Sequence, residues 1–367
     1  MKLEVEYMVE VLSEALKPVT GNGSKEVSKL DLTEKLGFTL EKVIFDGDTR
    51  DLTIIAPDRP EKSAVIGKGG WVVGRLREVL NVKSIHVEAY SDMMVRIYRM
   101  GLALEKVNST LKSLGHDNIA PINNLKNLLN LRIEDLPRFS YFTEFKKELM
   151  DLKSQKPLKN NEMEYNINDH KAIVALSGGA DSSFSLIIAK ILGFNPLAVT
   201  VDPGNIILPS HFKKNIEELT SILNVPHEYI AADMTEVITE SIEGNIHPCG
   251  RCSSTIENTL LDYTRNSEIP FLIFGDFLAT GTQSMVELDG IWRINLPAML
   301  STTKGETRSL STYFDLNIVG GYGCPLINEV HKLHPHMRRF SIQRILRETR
   351  AGTLEPGQAL NLITRTL

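Results

Sequence analysis

The sequence predicts an α/β protein, a parallel-sheet domain preceded by a small α+β domain. Three observations predict it. Short runs apolar throughout, Ala172–Leu176, Leu197–Val201 and Phe271–Phe274, alternate with helical stretches, the signature of strands buried on both faces of a parallel sheet. The first of these runs leads through a glycine turn into a helical stretch, Ser182–Leu192, that closes on Gly193. The first 115 residues read differently, as short strands and helices grouped around a second glycine cluster.

Composition bounds the rest. At 367 residues the chain is long enough for two or three domains, and 42% hydrophobic with 24% charged residues is ordinary for a soluble globular protein. A formal charge of −5 gives no global attraction to nucleic acid, so any such contact needs a local basic patch. There is no run of about 18 apolar residues, and the start, Met1-Lys2-Leu3-Glu4-Val5-Glu6, lacks a signal-peptide core, so a cytoplasmic location with no membrane partner is expected. The three cysteines, Cys249, Cys252 and Cys324, argue against a disulfide framework and for a metal or a reactive thiol.

Along the chain, helical spacing marks Glu4–Lys17, closed by Pro18, and a turn-rich stretch covers Thr20–Ser24. Lys42–Phe45 and Leu52–Ala56 read as strands of a hairpin through Asp46-Gly47-Asp48. Then come a helix at Lys62–Ile66, the glycine cluster, a helix at Val72–Leu80, a strand at Ser84–Tyr90 and an amphipathic helix from Met93 to Leu114. We expect a first domain over 1–115, a helical connector over 116–168, the parallel-sheet domain over 169–330 and a basic helical extension over 331–367. A further strand is expected at Glu228–Ala231.

The chemistry concentrates in Ser177-Gly178-Gly179-Ala180-Asp181-Ser182-Ser183. Two glycines let the backbone turn tightly and gather its N–H groups into one concavity. The helix that follows adds unpaired amides and the positive end of its dipole. Ser177, Ser182 and Ser183 add hydroxyls, so the nest suits an anion with several oxygens, and Asp181 within it suggests a divalent cation. No Gly-x-x-x-x-Gly-Lys-Ser/Thr is present, which excludes the loop that transfers a γ-phosphate.

SGGxDS after a buried strand resembles the signature of the PP-loop ATP-pyrophosphatases, of adenine nucleotide alpha hydrolase-like fold. The resemblance spans about Lys171 to Leu346. Phe274-Gly275-Asp276 with Thr280-Gly281-Thr282, and Asn295–Leu300 followed by Lys304 and Glu306, are similar to that family's later motifs. It implies ATP and Mg²⁺ bound by Ser177, Gly178, Gly179, Asp181, Ser182, Ser183, Gly275 and Asp276. Asp181 would place the metal and Lys304 would act as a catalytic cation while a substrate oxygen attacks the α-phosphorus. Asp202, ending the second strand, lies on the ligand side of the sheet with no assigned role.

His247-Pro248-Cys249-Gly250-Arg251-Cys252 is a C-x-x-C, and Cys324 is the remaining thiol. This resembles the tRNA thiolases in which a C-x-x-C and one later cysteine hold a 4Fe-4S cluster with an open iron for sulfur. Zinc held with His247 as a fourth ligand, a redox or persulfide dithiol, and unrelated buried thiols are the alternatives. The chain lacks the terminal zinc-binding cysteines common in that group.

Gly67-Lys68-Gly69-Gly70 between two helices resembles the glycine loop of a KH domain, which implies RNA binding through Gly67, Lys68, Gly69, Gly70, Arg75 and Arg77. Lys62 and Lys83 complete its basic surroundings, opposed only by Glu78. Near the C-terminus His331, Lys332, His334, His336, Arg338, Arg339, Arg344, Arg347 and Arg350 crowd a helical stretch that is either a solvated face or a phosphate contact. Three readings compete: adenylation and thiolation of a tRNA base, a small-molecule ligase with structural zinc, and a nucleotide-responsive RNA-binding protein. The first implies tRNA and a sulfur donor, sulfide or a carrier protein, as partners, and is compatible with a homodimer.

Overall fold

The computed structural model describes residues 2–16, 24–113, 119–156, 170–318 and 323–367. They fall into two compact units, Met1–Ile97 and Tyr98–Leu367, divided within one helix. The Thr20–Gly23 turn, and residues 116–118 and 157–168 of the segment read as a connector, lie outside the described residues.

The first unit runs α1 (Lys2–Leu16), β1 (Lys25–Asp31), α2 (Thr33–Leu36), β2 (Thr39–Asp46), β3 (Asp51–Ala56), α3 (Arg59–Ile66), α4 (Trp71–Leu80), β4 (Ser84–Ala89) and the start of α5 (Tyr90–Leu111). Its sheet has the order β1-β2-β3-β4. The first three strands are antiparallel neighbours, and β4 pairs parallel to β3 after the α3–α4 crossover. The β2–β3 turn is set by Asp46, whose carboxylate accepts from the Asp48 and Thr49 amides at 2.9 and 3.3 Å. Leu12, Leu40, Val43, Leu52, Ile54, Val65 and Leu76 form the core.

Strand β1 was not expected from the sequence. Its residues, KEVSKLD, leave no position fully buried because it lies at the sheet edge, so no apolar period marks it. Lys62, expected beside the glycine loop, is instead buried. Although burial opposes ionisation of Glu88, the charges of His86, Arg96 and Lys62 hold its pKa down, to about 2.

The second unit continues α5 and adds α6 (Ile119–Glu134), α7 (Tyr141–Glu144), α8 (Lys146–Ser154), β5 (Lys171–Ala175), α9 (Ala180–Ile191), β6 (Asn195–Asp202), α10 (Ser210–Leu223), β7 (His227–Ala231), α11 (Thr235–Ile242), α12 (Pro248–Asn266), β8 (Phe271–Phe274), β9 (Met285–Leu288), β10 (Ile291–Asn295), α13 (Leu296–Met299), α14 (Lys304–Tyr313), α15 (Pro325–Leu333), α16 (Arg338–Arg350) and α17 (Pro356–Thr366). The sheet order is β7-β6-β5-β8-β10-β9. All pairs are parallel except the edge hairpin β9–β10. Ile173, Val174, Val199, Leu272 and Ile273 are fully buried, as strands covered on both faces must be.

This order reverses direction between β5 and β8. Open α/β sheets bind ligands at such a switch point, outside the carboxyl ends of the strands, and the Ser177–Gly179 turn leaves β5 there. The helices of the expected connector pack into this unit: Asn124 donates to the Leu192 carbonyl at 2.9 Å, and Arg132 is fully buried. Among the described residues no helix is long and apolar enough to cross a membrane.

One buried histidine ties three segments of the unit together. Thr200 Oγ1 donates to the Leu176 carbonyl at 2.7 Å, so it accepts from His227 Nε2 at 2.9 Å and the ring is neutral with Nε2 protonated. Burial holds the His227 pKa down, to about 4. A histidine depressed in the fold binds a proton first in the unfolded chain. Its contribution is therefore present above pH 6.5 and is lost as pH falls toward 4, by about 3 kcal/mol at most. In denaturant unfolding from pH 7 to pH 4, His227→Gln should lose less stability over this window than the native chain; parallel curves would contradict the assignment.

Candidate active site

The loop between β5 and α9 is shaped by its neighbours. Gly178 has φ +72°, and a Cβ there would lie 2.3 Å from the Phe212 carbonyl oxygen. Gly275, just past β8, faces the loop from the other side, where a Cβ would meet the Asp181 carbonyl carbon and Ser182 nitrogen at 2.8 Å. Gly275, expected from the sequence as an ATP contact, lets β8 press against the start of α9. Ser177 N–H donates to Ser182 Oγ at 3.1 Å, and that hydroxyl donates to the Gly179 carbonyl at 3.2 Å, so Ser182 closes the turn on itself. Ser183 is fully buried, and its hydroxyl has no hydrogen-bond partner among the described residues.

Asp181 and Lys304, 123 positions apart, meet at the mouth of this turn. Lys304 Nζ donates to Asp181 Oδ2 at 2.6 Å, and Thr307 Oγ1 donates to Oδ1 at 3.0 Å. The ammonium also lies 4.5 Å from the centre of the Phe277 ring, a cation–π contact. The helix carrying it, α14, is anchored on α9, where Ser311 Oγ donates to the Ala180 carbonyl at 3.2 Å. Asp276 lies outside this arrangement and is ion-paired to Arg293 at 3.2 Å.

Behind Lys304 is a support that the sequence reading missed. Thr303 caps the start of α14 and forms a capping box with Glu306, so this motif residue secures the helix N-terminus. Arg132 donates to Glu306 Oε1 at 2.6 Å and to the Leu300 carbonyl at 2.7 Å, from a fully buried position against Phe139 and Tyr141. The signal was present: Arg132 continues the apolar stripe Ile122, Leu125, Leu129 of α6, where a charge must find a buried partner.

A cleft of about 880 Å³ opens here. Gly179, Asp181, Lys304, Thr307 and Arg308 line one part of it, and Gly323, Pro325, Asn328 and His331 another. The helices α16 and α17 add Arg338, Glu348, Asn361 and Arg365. A shallower recess of about 520 Å³ includes Asp202, whose carboxylate accepts from Lys213 Nζ at 2.6 Å and from the Gly204 amide at 3.0 Å.

The cysteines stand at the starts of two helices. Cys249 and Cys252 occupy the first turn of α12, and Cys324 caps α15 between cleft residues Gly323 and Pro325. The three thiols are electrostatic neighbours. Burial pushes Cys249 and Cys252 up, the latter to about 11, and the charge of Cys324 raises both further; Arg344 opposes the rise at Cys249. A bound metal would deprotonate such thiols outright. Among the described residues no three His, Cys, Asp or Glu side chains are gathered closely enough to hold a metal ion as they stand. His247 packs near His331 and Phe340, with ring centres 6.1 and 5.3 Å away, and its buried Nε2 has no hydrogen-bond partner among the described residues.

In the first unit, Gly67, Gly69 and Gly70 all have positive φ, and a Cβ on Gly67 would strike Val72. Lys68, Gly69, Trp71, Arg75 and Arg77 are exposed on and beyond this turn, with Arg75 paired to Glu78 at 3.2 Å. The basic residues near the C-terminus are divided by His334–Pro335, and His331 is buried on α15, not part of an open basic face.

No family model matches the chain. It is 35% identical over 266 residues to the uncharacterized protein MJ1638 of Methanocaldococcus jannaschii, covering 72% of this chain and 96% of that one. A stretch of 92 residues, 24% of this chain and 36% of the relative, is 34% identical to the 7-cyano-7-deazaguanine synthase of Thermoplasma volcanium. Among solved structures, the U34-tRNA thiolase NcsA from Methanococcus maripaludis with its 4Fe-4S cluster superposes with a TM-score of 0.34 at 16% identity, over 61% of this chain and 77% of that one. Identity running along nearly the whole of MJ1638 places this chain in the MJ1638 family, and the Ser177–Ser183 signature at the sheet's switch point, with the stretch shared with the synthase, places it in the PP-loop ATP-pyrophosphatase superfamily.

Proposed function

We propose that this chain uses ATP to adenylate a carbonyl oxygen on a tRNA base and then exchanges that oxygen for sulfur. One observation carries the reading: Asp181 and Lys304 share a cleft with the two residues that flank Cys324. A phosphate loop alone would serve any adenylating ligase. Cys324, set between two cleft residues and an electrostatic neighbour of Cys249 and Cys252, favours the branch that delivers sulfur.

In the first step the base oxygen attacks the α-phosphorus, an O–P bond forms, and pyrophosphate departs. Negative charge builds on the departing oxygens, where the amides at the start of α9 and the Lys304 ammonium stabilise it. Asp181 fits a divalent cation bound with the phosphates, since its carboxylate lines the cleft. In the second step a C–S bond forms at the activated carbon, the C–O bond breaks, and AMP leaves with the oxygen. Activation is needed because a carbonyl oxygen is a poor leaving group.

The thiols of Cys249, Cys252 and Cys324 are the set we assign to a 4Fe-4S cluster, which would supply an open iron for sulfur. Their soft sulfur donors suit iron, and Arg344 beside Cys249 eases the cost of gathering thiolates. The first unit supplies the RNA grip in this reading. Its exposed Gly67–Gly70 turn lets backbone approach phosphate closely, while Lys68, Arg75 and Arg77 add charge and Trp71 adds a stacking face.

Asp181→Ala should cut tRNA-stimulated release of AMP and pyrophosphate by about 100-fold or more. Gly275→Ala should weaken nucleotide binding by moving the start of α9. Pyrophosphate assays with calorimetric ATP binding check both, and near-native turnover in Asp181→Ala would refute the assigned role.

For the thiols, single Cys249→Ala, Cys252→Ala and Cys324→Ala changes should each lower iron and acid-labile sulfide in anaerobically purified protein. Zinc at full occupancy with no iron, or iron unaffected by Cys324→Ala, would refute the cluster.

A further inference from the structure

We infer that Glu348 is a second seat for the Lys304 ammonium and positions it as nucleotide binds. The inference rests on reading Ser177–Ser183 as the triphosphate site. Glu348 lies on α16, only 3% exposed, and lines the cleft. A carboxylate buried so far is costly unless both its oxygens are satisfied. Its Oε1 takes one long bond, from Arg344 Nε at 3.4 Å. Among the described residues its Oε2 takes no hydrogen bond, and the ammonium of Lys304 lies 3.9 Å from it.

The spacing is held by backbone. The Thr353 amide and hydroxyl donate to the Glu348 carbonyl at 3.1 and 2.9 Å, and the Thr353 carbonyl accepts from the Lys304 amide at 2.8 Å. The end of α16 is thereby tied to the start of α14. The gap between ammonium and carboxylate can therefore close by side-chain rotation alone.

Two demands conflict at Asp181. Its Oδ2 holds the Lys304 ammonium at 2.6 Å, yet the same carboxylate is the one suited to the cation that travels with a triphosphate. Two cations on one carboxylate repel, and an ammonium released without a partner would be stranded in a partly buried site. Glu348 removes the conflict. Its free oxygen accepts the ammonium as Asp181 turns to the incoming cation, and Lys304 stays in the cleft facing the phosphates. Glu348 is thus a positioning residue acting through Lys304.

The test uses the full chain, the non-cleavable analogue αβ-methylene ATP, and titration calorimetry with and without Mg²⁺. Glu348→Gln keeps the shape and removes the charge. It should raise the Mg²⁺ concentration for half-maximal analogue binding by about tenfold, the order of one coupled charge pair, while Mg²⁺-free binding changes by less than about twofold. In a Lys304→Met background the same substitution should have no effect on the Mg²⁺ requirement. An unchanged requirement in Glu348→Gln, or a tenfold rise that persists without Lys304, would overturn the inference. Should Glu348→Gln fail to fold, a structure of the native chain with the analogue and Mg²⁺ decides: Lys304 bonded to Glu348 supports it, and Lys304 still on Asp181 overturns it. Failure of the native chain to bind the analogue at all would overturn the loop assignment, and this inference with it.

Discussion

The ion pair between Lys304 and Asp181, 2.6 Å long, joins the first turn of α14 to the first turn of α9. Much of the second unit is arranged to hold those two turns together. Gly178 and Gly275 let Phe212 and β8 close on the loop from two directions, with backbone where a side chain would stand. Ser311 ties the last turn of α14 to Ala180, and Arg132 fixes the cap from which Lys304 projects. Removing one partner of a buried pair such as Arg132–Glu306 typically costs about 3–5 kcal/mol, because the other charge is left uncompensated. The cost of building the site is therefore met in the helices around it, while the site itself keeps Asp181 and Lys304 partly open to the cleft.

The thiols stand in a different regime. Asp181 is a hard oxygen donor suited to phosphate-bound cations, whereas three sulfurs at the starts of α12 and α15 suit a softer metal. In the function proposed above, the first donor set would serve activation and the second sulfur delivery. Glu348 and Arg344 stand between them, one turn apart on α16. The C-terminal helices thus contribute to the interior of the site as well as to its charged surroundings.

How far the sequence could lead depended on the kind of constraint. Strands such as Ala172–Leu176 and Phe271–Phe274 were legible because burial on both faces leaves a continuous apolar run. The loop was legible because glycine and a helix start are both written locally. Strand β1 was not, since an edge strand needs no apolar face. The β9–β10 hairpin went unread although its turn, Asp289-Gly290 with φ of 51° and 85°, is a strong hairpin signal. Lys62 misled because a lysine in a helical run reads as surface until its partner Glu88 is placed beside it. Glu348 was hidden among arginines, where a lone carboxylate reads as a surface counter-ion; only the chain's return to the cleft reveals its partner.

The central claim is that one cleft activates a tRNA base and replaces its oxygen with sulfur. Nucleoside mass spectrometry of tRNA from cells lacking this chain tests it most directly, because substrate and product appear in the same measurement. The account predicts that one thionucleoside disappears, its oxygen counterpart rises by the same amount, and the native chain restores it while the Asp181→Ala chain does not. An unchanged set of thionucleosides, in cells shown to lack the protein and any second copy, would contradict it.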